Sequence, residues 1–287
     1  MSNQPPRTRA RPHALPSYVP GTMTATRTAF GDTLAALGDV RPGLVVLDGE
    51  VSDTEAFAYF IRMAAVSRAS IRLVGTRAGV AAGQDGPSRM ALADLAALRA
   101  VHGSTVLYPC DANQAVRLTA ALADVSGISY LRASRDDTPV IYGPDEEFPI
   151  GGSRMIRRAP DDQVTLVAAG VTVHEALAAA DLLADDGISA RVIDAYSIKP
   201  IDTTTLREAA ADTGRIITVE DHSPAGGLGD AVLDALADTP ALVQKLAIRE
   251  MPAAATPAEQ LQLAGIDMVS IADAGVDLVN AGTSRCS

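Results

Sequence analysis

Gly75-Thr-Arg-Ala-Gly-Val-Ala-Ala-Gly-Gln-Asp-Gly-Pro-Ser-Arg89 follows an apolar run, Ile71 to Val74, and precedes a helical pattern from Ala91 to Val101. Four glycines and a proline therefore lie between a predicted strand and a predicted helix. Glycine has no Cβ, so a loop of this composition lets its backbone come close to a ligand or to another chain segment. The spacing is neither the GxGxxG of dinucleotide sites nor the GxxxxGKS/T of phosphate loops. A plain βα connection is the alternative reading of the same residues.

Strands alternate with helices on both sides of this loop. Thr26 to Leu37 has helical periodicity, Leu44 to Asp48 reads as a short buried strand, and Glu55 to Ala65 as a helix. Strand 71–76, the loop, helix 91–101, strand 105–109, helix 111–125 and strand 128–134 follow. A linker with a small excursion spans Arg135 to Pro160, with turn residues, three acids at 145–147 and the pair Gly151-Gly152. A second series then begins: strand Val164–Ala169, helix Val173–Asp185, strand Ala190–Asp194, helix Thr203–Thr213, strand Arg215–Glu220 and helix Gly229–Ala237. A strand near 242–248 and helices near 257–263 and 270–279 complete it. The expected class is α/β, with two doubly wound domains built on mainly parallel sheets. The boundaries are a disordered or extended proline- and arginine-containing arm over 1–22, a first domain over 23–148 and a second over 149–287.

The chain has 287 residues, enough for two cores, with 47% hydrophobic and 21% charged residues. A formal charge of −11 argues against nucleic acid and against an anionic membrane surface. It leaves room for an anionic substrate held by a local arginine cluster. Cys110 and Cys286 form neither a disulfide framework nor a metal motif, and Cys110, at a strand end, reads as a small core residue. No apolar run is long enough to span a bilayer, and Arg7, Arg9 and Arg11 are not followed by the apolar core of a signal peptide. The expected location is the cytoplasm.

Gly83-Gln-Asp-Gly-Pro-Ser88 resembles the GEDGPS/T segment of transketolases. Met90 to Arg99, Thr105 to Asn113, Pro139 to Gly151 and Glu220-Asp-His-Ser-Pro-Ala-Gly-Gly-Leu-Gly229 continue the resemblance, in order, from about residue 27 to residue 280. The first domain is similar to the pyrimidine-binding domain of thiamine-diphosphate enzymes, and the second to the transketolase C-terminal domain, which carries no chemistry in that family. A dehydrogenase E1 β-subunit shares this domain pair, but the GxDGPS loop and the Pro139-to-Gly151 stretch look closer to transketolase.

The resemblance implies roles for particular residues. Asp85 matches an aspartate that accepts hydrogen bonds from substrate hydroxyls; as a plain loop residue it would cap the following helix. Arg135 falls where the family has a substrate-phosphate arginine; otherwise it pairs with Asp136 or Asp137 on the surface. Thr54 stands near a phosphate-binding serine position, and Glu50 near an aspartate at the cofactor. Arg77 replaces a family histidine: permanently charged, it binds an anion but cannot shuttle protons at neutral pH. Gln84 replaces the glutamate of GED, and Arg89 the histidine or glutamine after GPS/T. None of His13, His102, His174 and His222 matches a catalytic histidine. His102 reads as a helix-end residue, and His222 as hydrogen-bonded within the second domain.

The family segment carrying the catalytic glutamate and the phenylalanine under the pyrimidine has no counterpart between Val51-Ser-Asp-Thr54 and Phe60-Ile-Arg-Met-Ala-Ala65. Several dozen residues, including a central strand, are missing, so the first domain is truncated and its neighbouring strands lose ladder partners. Glu50 or Glu55 is then the candidate acid, and Phe57, Tyr59 or Phe60 the candidate platform; Phe57 and Phe60 also stand at helical core spacing. The GDG pattern with a downstream Asn that holds magnesium and diphosphate is absent too. Thiamine diphosphate and Mg would be shared with an N-terminal transketolase subunit carrying that half, in an assembly of two copies of each chain. The expected activity is transfer of two-carbon ketol units between sugar phosphates or related substrates. Alternatives are a non-catalytic structural or regulatory subunit, and a truncated product that folds poorly.

Overall fold

The computed structural model describes residues 14–41, 43–46 and 61–283. A short strand, β1 (Met23–Ala25), leads into helix α1 (Thr26–Val40). Helix α2 is described over residues 61–66, and the earlier part of the expected helix from Glu55 lies outside the described residues. Leu44 to Val46 form no strand, and the remainder of that expected strand also lies outside them. Next come β2 (Ile71–Gly75), two 3-10 turns (Val80–Asp85 and Pro87–Arg89), α3 (Asp94–Arg99), β3 (Thr105–Leu107), α4 (Ala112–Leu122) and β4 (Ile128–Arg132). The expected linker holds two strands, β5 (Asp137–Pro139) and β6 (Arg154–Arg157). The second series runs β7 (Val164–Ala168), α5 (Thr172–Asp185), β8 (Ala190–Asp194), β9 (Ser197–Lys199), α6 (Thr203–Thr213) and β10 (Arg215–Val219). It closes with α7 (Leu228–Ala235), β11 (Leu242–Leu246), α8 (Pro257–Leu263) and α9 (Met268–Thr283).

Local chemistry sets several of these boundaries. Asp111 caps α4 by accepting from Gln114 N, Asp202 caps α6 by accepting from Thr205 N, and α8 opens with a Thr256–Glu259 capping box. Gly214 ends α6 in the left-handed region that glycine enters at little cost. Helix 91–101 is shortened to α3 because Met90 and Ala91 are spent closing the loop: Met90 O accepts from Gly79 N, and Ala91 has φ +49°.

The first sheet has the order β2-β4-β3-β9, parallel except for β9, and the second β11-β10-β7-β8-β6, parallel except for β6. Strand β9 leaves the second series to pair with β3, so the two halves are stitched through a shared sheet. They also share cores: Leu107, Leu118 and Leu131 pack in one cluster with Leu166, Val173 and Val219. Each of these three leucines is completely buried, which contributes about 1.5–3 kcal/mol apiece. Residues 14–22 run along this body, with Tyr18 N donating to Asn113 Oδ1 and Asn113 Nδ2 donating back to Tyr18 O. Among the described residues β2 ends its sheet. Beside it lies a groove of about 1060 Å³ walled by Leu34 and Leu37 of α1, Leu122 of α4, and Ile71 and Leu73 of β2.

Candidate functional site

Strand β2 delivers the chain to Gly75, whose carbonyl accepts from Ala133 N at 2.7 Å. A Cβ at Gly75 would stand 2.3 Å from the Tyr130 hydroxyl, so a side chain there would have to displace the tyrosine. The loop then folds back through Gly79 (φ +79°), Gly83 (φ +38°) and Gly86 (φ +82°), conformations that favour glycine. This path brings three of the expected site residues together. Arg135 Nη1 donates to Asp85 Oδ2 at 2.6 Å, and Arg77 Nη1 lies 3.9 Å from the same oxygen. Arg135 arrives from the end of β4 through Ala133 and Ser134, both buried, with Ser134 N donating to Thr26 Oγ1. Asp85 does not cap the following turn, and Arg135 spends its short hydrogen bond on Asp85 rather than on either neighbouring aspartate.

The side chains of Arg77, Asp85 and Arg135 are 53%, 33% and 38% exposed. An ion pair this open is worth about 0–1 kcal/mol, so an anionic ligand can exchange into it cheaply. Burial raises the neighbouring Asp136 carboxyl, while Arg135 and Arg27 pull it down. The cluster thus sets Arg27, Arg77 and Arg135 against Asp85, Asp136 and Asp137, a local balance of charge on a protein that is acidic as a whole. Glu50, Thr54 and Glu55 lie outside the described residues.

Beneath the loop is a network that the sequence pattern did not reveal. The Arg132 guanidinium, with 0% exposure, donates to Asp94 Oδ2 at 3.0 Å, Asp221 Oδ1 at 2.6 Å and Asp221 O at 3.1 Å. It also stands 4.5 Å from the centre of the Tyr108 ring, whose hydroxyl donates to Asp221 Oδ2 at 3.1 Å. Burial alone would lower the Arg132 guanidinium, but Asp221 and Asp94 outweigh it and hold it charged. His222 is fully buried beside them, pushed down to about 4 by burial and by Arg132. Its Nδ1 lies 2.6 Å from Ser223 O, while Nε2 accepts from Ala96 N at 3.4 Å, so it bridges to α3 as well as bonding within its own half. Glu220, raised to about 7 by burial, accepts from Leu228 N and Gly229 N at the start of α7. The Glu220-Asp-His stretch was the available signal, yet its partners Arg132 and Asp94 are about ninety residues or more away in sequence.

A second buried group surrounds Asp194. Its Oδ2 accepts from Gln114 Nε2 at 2.7 Å and Tyr142 Oη at 2.9 Å, with Cys110 Sγ at 3.5 Å, while Oδ1 has no partner. Burial pushes the Asp194 carboxyl up to about 7. His174 Nε2 lies 2.9 Å from Cys110 O, and burial lowers its imidazole. His102 is exposed in the turn after α3.

The described residues do not by themselves fit thiamine diphosphate and a metal. Among them no group of acids, histidines and cysteines could hold a metal ion. The buried carboxyl groups of Asp111, Glu220 and Asp221 are committed to backbone N–H groups or to Arg132, and Asp194 is sealed from solvent.

The model of the transketolase pyrimidine-binding domain matches residues 53–140, and that of the transketolase C-terminal domain matches residues 152–271. The chain belongs to the transketolase family. Human transketolase is 38% identical over 311 residues, covering 91% of this chain and 50% of the human protein. Bovine transketolase-like protein 1 is 38% identical over 301 residues, covering 88% of this chain and 50% of its own length. The chain therefore spans about half the length of the curated relatives it matches. In the human alignment, 91% of 287 residues is about 261, set against 311, so the relative carries about fifty residues without a counterpart here. A solved structure described as a split gene transketolase, inactive beta4 tetramer, superposes with a TM-score of 0.76 at 29% identity, covering 89% of this chain and 98% of that one. Transketolase from Campylobacter jejuni shares the fold, with a TM-score of 0.72 at 16% identity over 92% of this chain and 48% of its own. No helix among the described residues is long and apolar enough to cross a membrane.

Proposed function

We propose that this chain is the C-terminal subunit of a two-chain transketolase-like enzyme, with a first domain to residue 148 and a second from residue 149. In this reading it moves two-carbon ketol units between sugar phosphates or related substrates. The observation that carries the reading is the convergence of Arg77 and Arg135 on Asp85 at the mouth of the glycine loop. Arg135 presents a planar, permanently charged fork suited to two phosphate oxygens, and Arg77 adds a second cation without proton chemistry. Asp85, released from Arg135 as phosphate binds, is free to accept hydrogen bonds from substrate hydroxyls.

Thiamine diphosphate, held with Mg by a partner carrying the diphosphate-binding half, would supply the electron sink for breaking and forming the carbon–carbon bond. Glu50 or Glu55 is this chain's candidate acid toward it, with Thr54 near the phosphate, in an assembly of two copies of each chain. The test mixes the chain with such a half and measures thiamine-dependent ketol transfer from a ketose phosphate. Loss of a charged hydrogen bond of about 1.5–3 kcal/mol predicts a ten- to hundredfold or so lower kcat/KM in Arg135→Gln. An unchanged kcat/KM in that variant refutes the phosphate role.

A non-catalytic stabilising or regulatory subunit is the second reading. It is favoured by the fifty-odd positions missing relative to the human protein and by arginine at the histidine position. A stable complex of the two halves with no transfer selects it.

A further inference from the structure

The loop that carries the proposed anion site belongs to the first half of the chain, but it rests on the second half at two points. At Gly79 an added Cβ would stand 1.7 Å from Asp221 Oδ2 and 3.3 Å from Arg132 Nη1. At Gly83 it would stand 2.9 Å from Ala255 O and 3.2 Å from Pro257 Cδ, at the capped start of α8. Between these points Val80 and Ala82 are buried, and Val80 packs in the core that contains Leu166, Val219 and Ile248 of the second half. Arg77 lies two residues before the first contact, Asp85 two residues after the second, and Arg135 three residues after Arg132. Asp221 therefore sets two of the approaches at once: its carboxylate lies under Gly79 and holds the Arg132 guanidinium at 2.6 Å.

We infer that Asp221 and the Ala255–Pro257 segment are positioning residues for the Arg77–Asp85–Arg135 cluster, so that the second half fixes the geometry of a site whose side chains all come from the first. This rests on the anion-site reading above for its functional meaning, but the geometric claim stands apart from it. Asp221 is buried, and neither it nor Pro257 takes part in the ion pairs of the cluster. Each limits where the loop backbone can lie, and a shift of about 1.5 Å or more at Asp85 would lengthen its 2.6 Å contact with Arg135 Nη1 beyond ion-pair range.

The experiment measures phenylglyoxal modification of Arg135 by peptide mass spectrometry on the full chain, with Arg158 as internal reference. Arg158 lies in the second half and is 60% exposed. The ion pair with Asp85 slows modification of Arg135, and Asp85→Asn sets the rate without it. Asp221→Asn tests the first contact. Should it fail to fold, Gly83→Ala tests the second, with Gly86→Ala as its control, since Gly86 shares the positive φ but has nothing within 4 Å of its Cβ position. The expected result is a relative rate for Arg135 in Gly83→Ala that rises about threefold, to the Asp85→Asn level, as fits an open ion pair, and stays near wild type in Gly86→Ala. A Gly83→Ala rate equal to wild type, in a variant that still melts cooperatively, overturns the inference.

Inorganic phosphate is then added as the anion probe. Protection of Arg77 and Arg135 in wild type that needs about tenfold more phosphate in Gly83→Ala extends the support to function. If phosphate protects neither arginine in wild type, the anion reading fails, while the ligand-free rates still decide the positioning claim.

Discussion

Replacing Arg132 by methionine keeps most of the side-chain volume and removes the only cation facing Asp94 and Asp221 within the buried network described here. Four interactions disappear: hydrogen bonds at 3.0 Å to Asp94, at 2.6 and 3.1 Å to Asp221, and the contact over the Tyr108 ring. The larger effect is what remains, two carboxylates of 10% and 1% exposure without a counter-charge. Breaking a buried pair in this way costs about 3–5 kcal/mol, a large part of the 5–15 or so that a domain has. With a urea slope of about 3 kcal/mol per molar, the midpoint should fall by about 1–1.7 M. Burial already raises Asp221 and Arg132 opposes it, so removing Arg132 raises the folded-state pKa further above the unfolded one. A carboxyl with a raised folded pKa destabilises increasingly as pH rises through that pKa, so the loss should be larger at pH 8 than at pH 5. Adding Asp94→Asn and Asp221→Asn to the same chain removes the stranded charges and should recover at least half of the midpoint. Urea melts followed by circular dichroism at both pH values provide the measurement. A midpoint shift below about 0.3 M, or one equal at pH 5 and pH 8, would show that Arg132 is not what neutralises these acids.

Two further outcomes follow from buried groups. Asp194 is raised to about 7, above its unfolded value, so its contribution is fully present below the unfolded pKa and is lost as pH rises through about 7. Asp194→Asn should therefore gain stability relative to wild type between pH 5 and pH 8 in urea melts, and a difference independent of pH would contradict the assignment. Gly170, with φ +60°, would place a Cβ 2.0 Å from the Tyr108 ring, so Gly170→Ala should cost about 1–3 kcal/mol and lower Tm; an unchanged Tm would show that the ring has room to move.

The order of elements was legible because burial leaves a period in the sequence. Apolar runs such as Val164 to Ala168 lie between helical patterns, and helix Thr203–Thr213, with Asp202 before it and Gly214 after it, has the bounds its caps announce. Glycines in a loop between strand and helix announced a close approach, and Asp85 and Arg135 could be named from family motifs. Element order, caps and loop composition were legible because each depends on neighbours within a few residues, whereas Asp85 and Arg135 rested on the family resemblance.

What touches that loop was decided only by the tertiary structure. Arg132 and Asp221 are 89 residues apart, and Gly83 meets Ala255 across a longer span still. No periodicity marks such pairs, because a buried arginine and an exposed one look alike in sequence until the chain closes around them. Strand β9 likewise follows β8 in sequence yet pairs with β3, since the open side of β3 accepts it antiparallel. The sequence by itself determined an α/β chain of the transketolase kind with an arginine-rich glycine loop. The folded chain determined that Arg77, Asp85 and Arg135 meet, because the loop packs at Gly79 against Asp221 and at Gly83 against Ala255 and Pro257, residues remote in sequence.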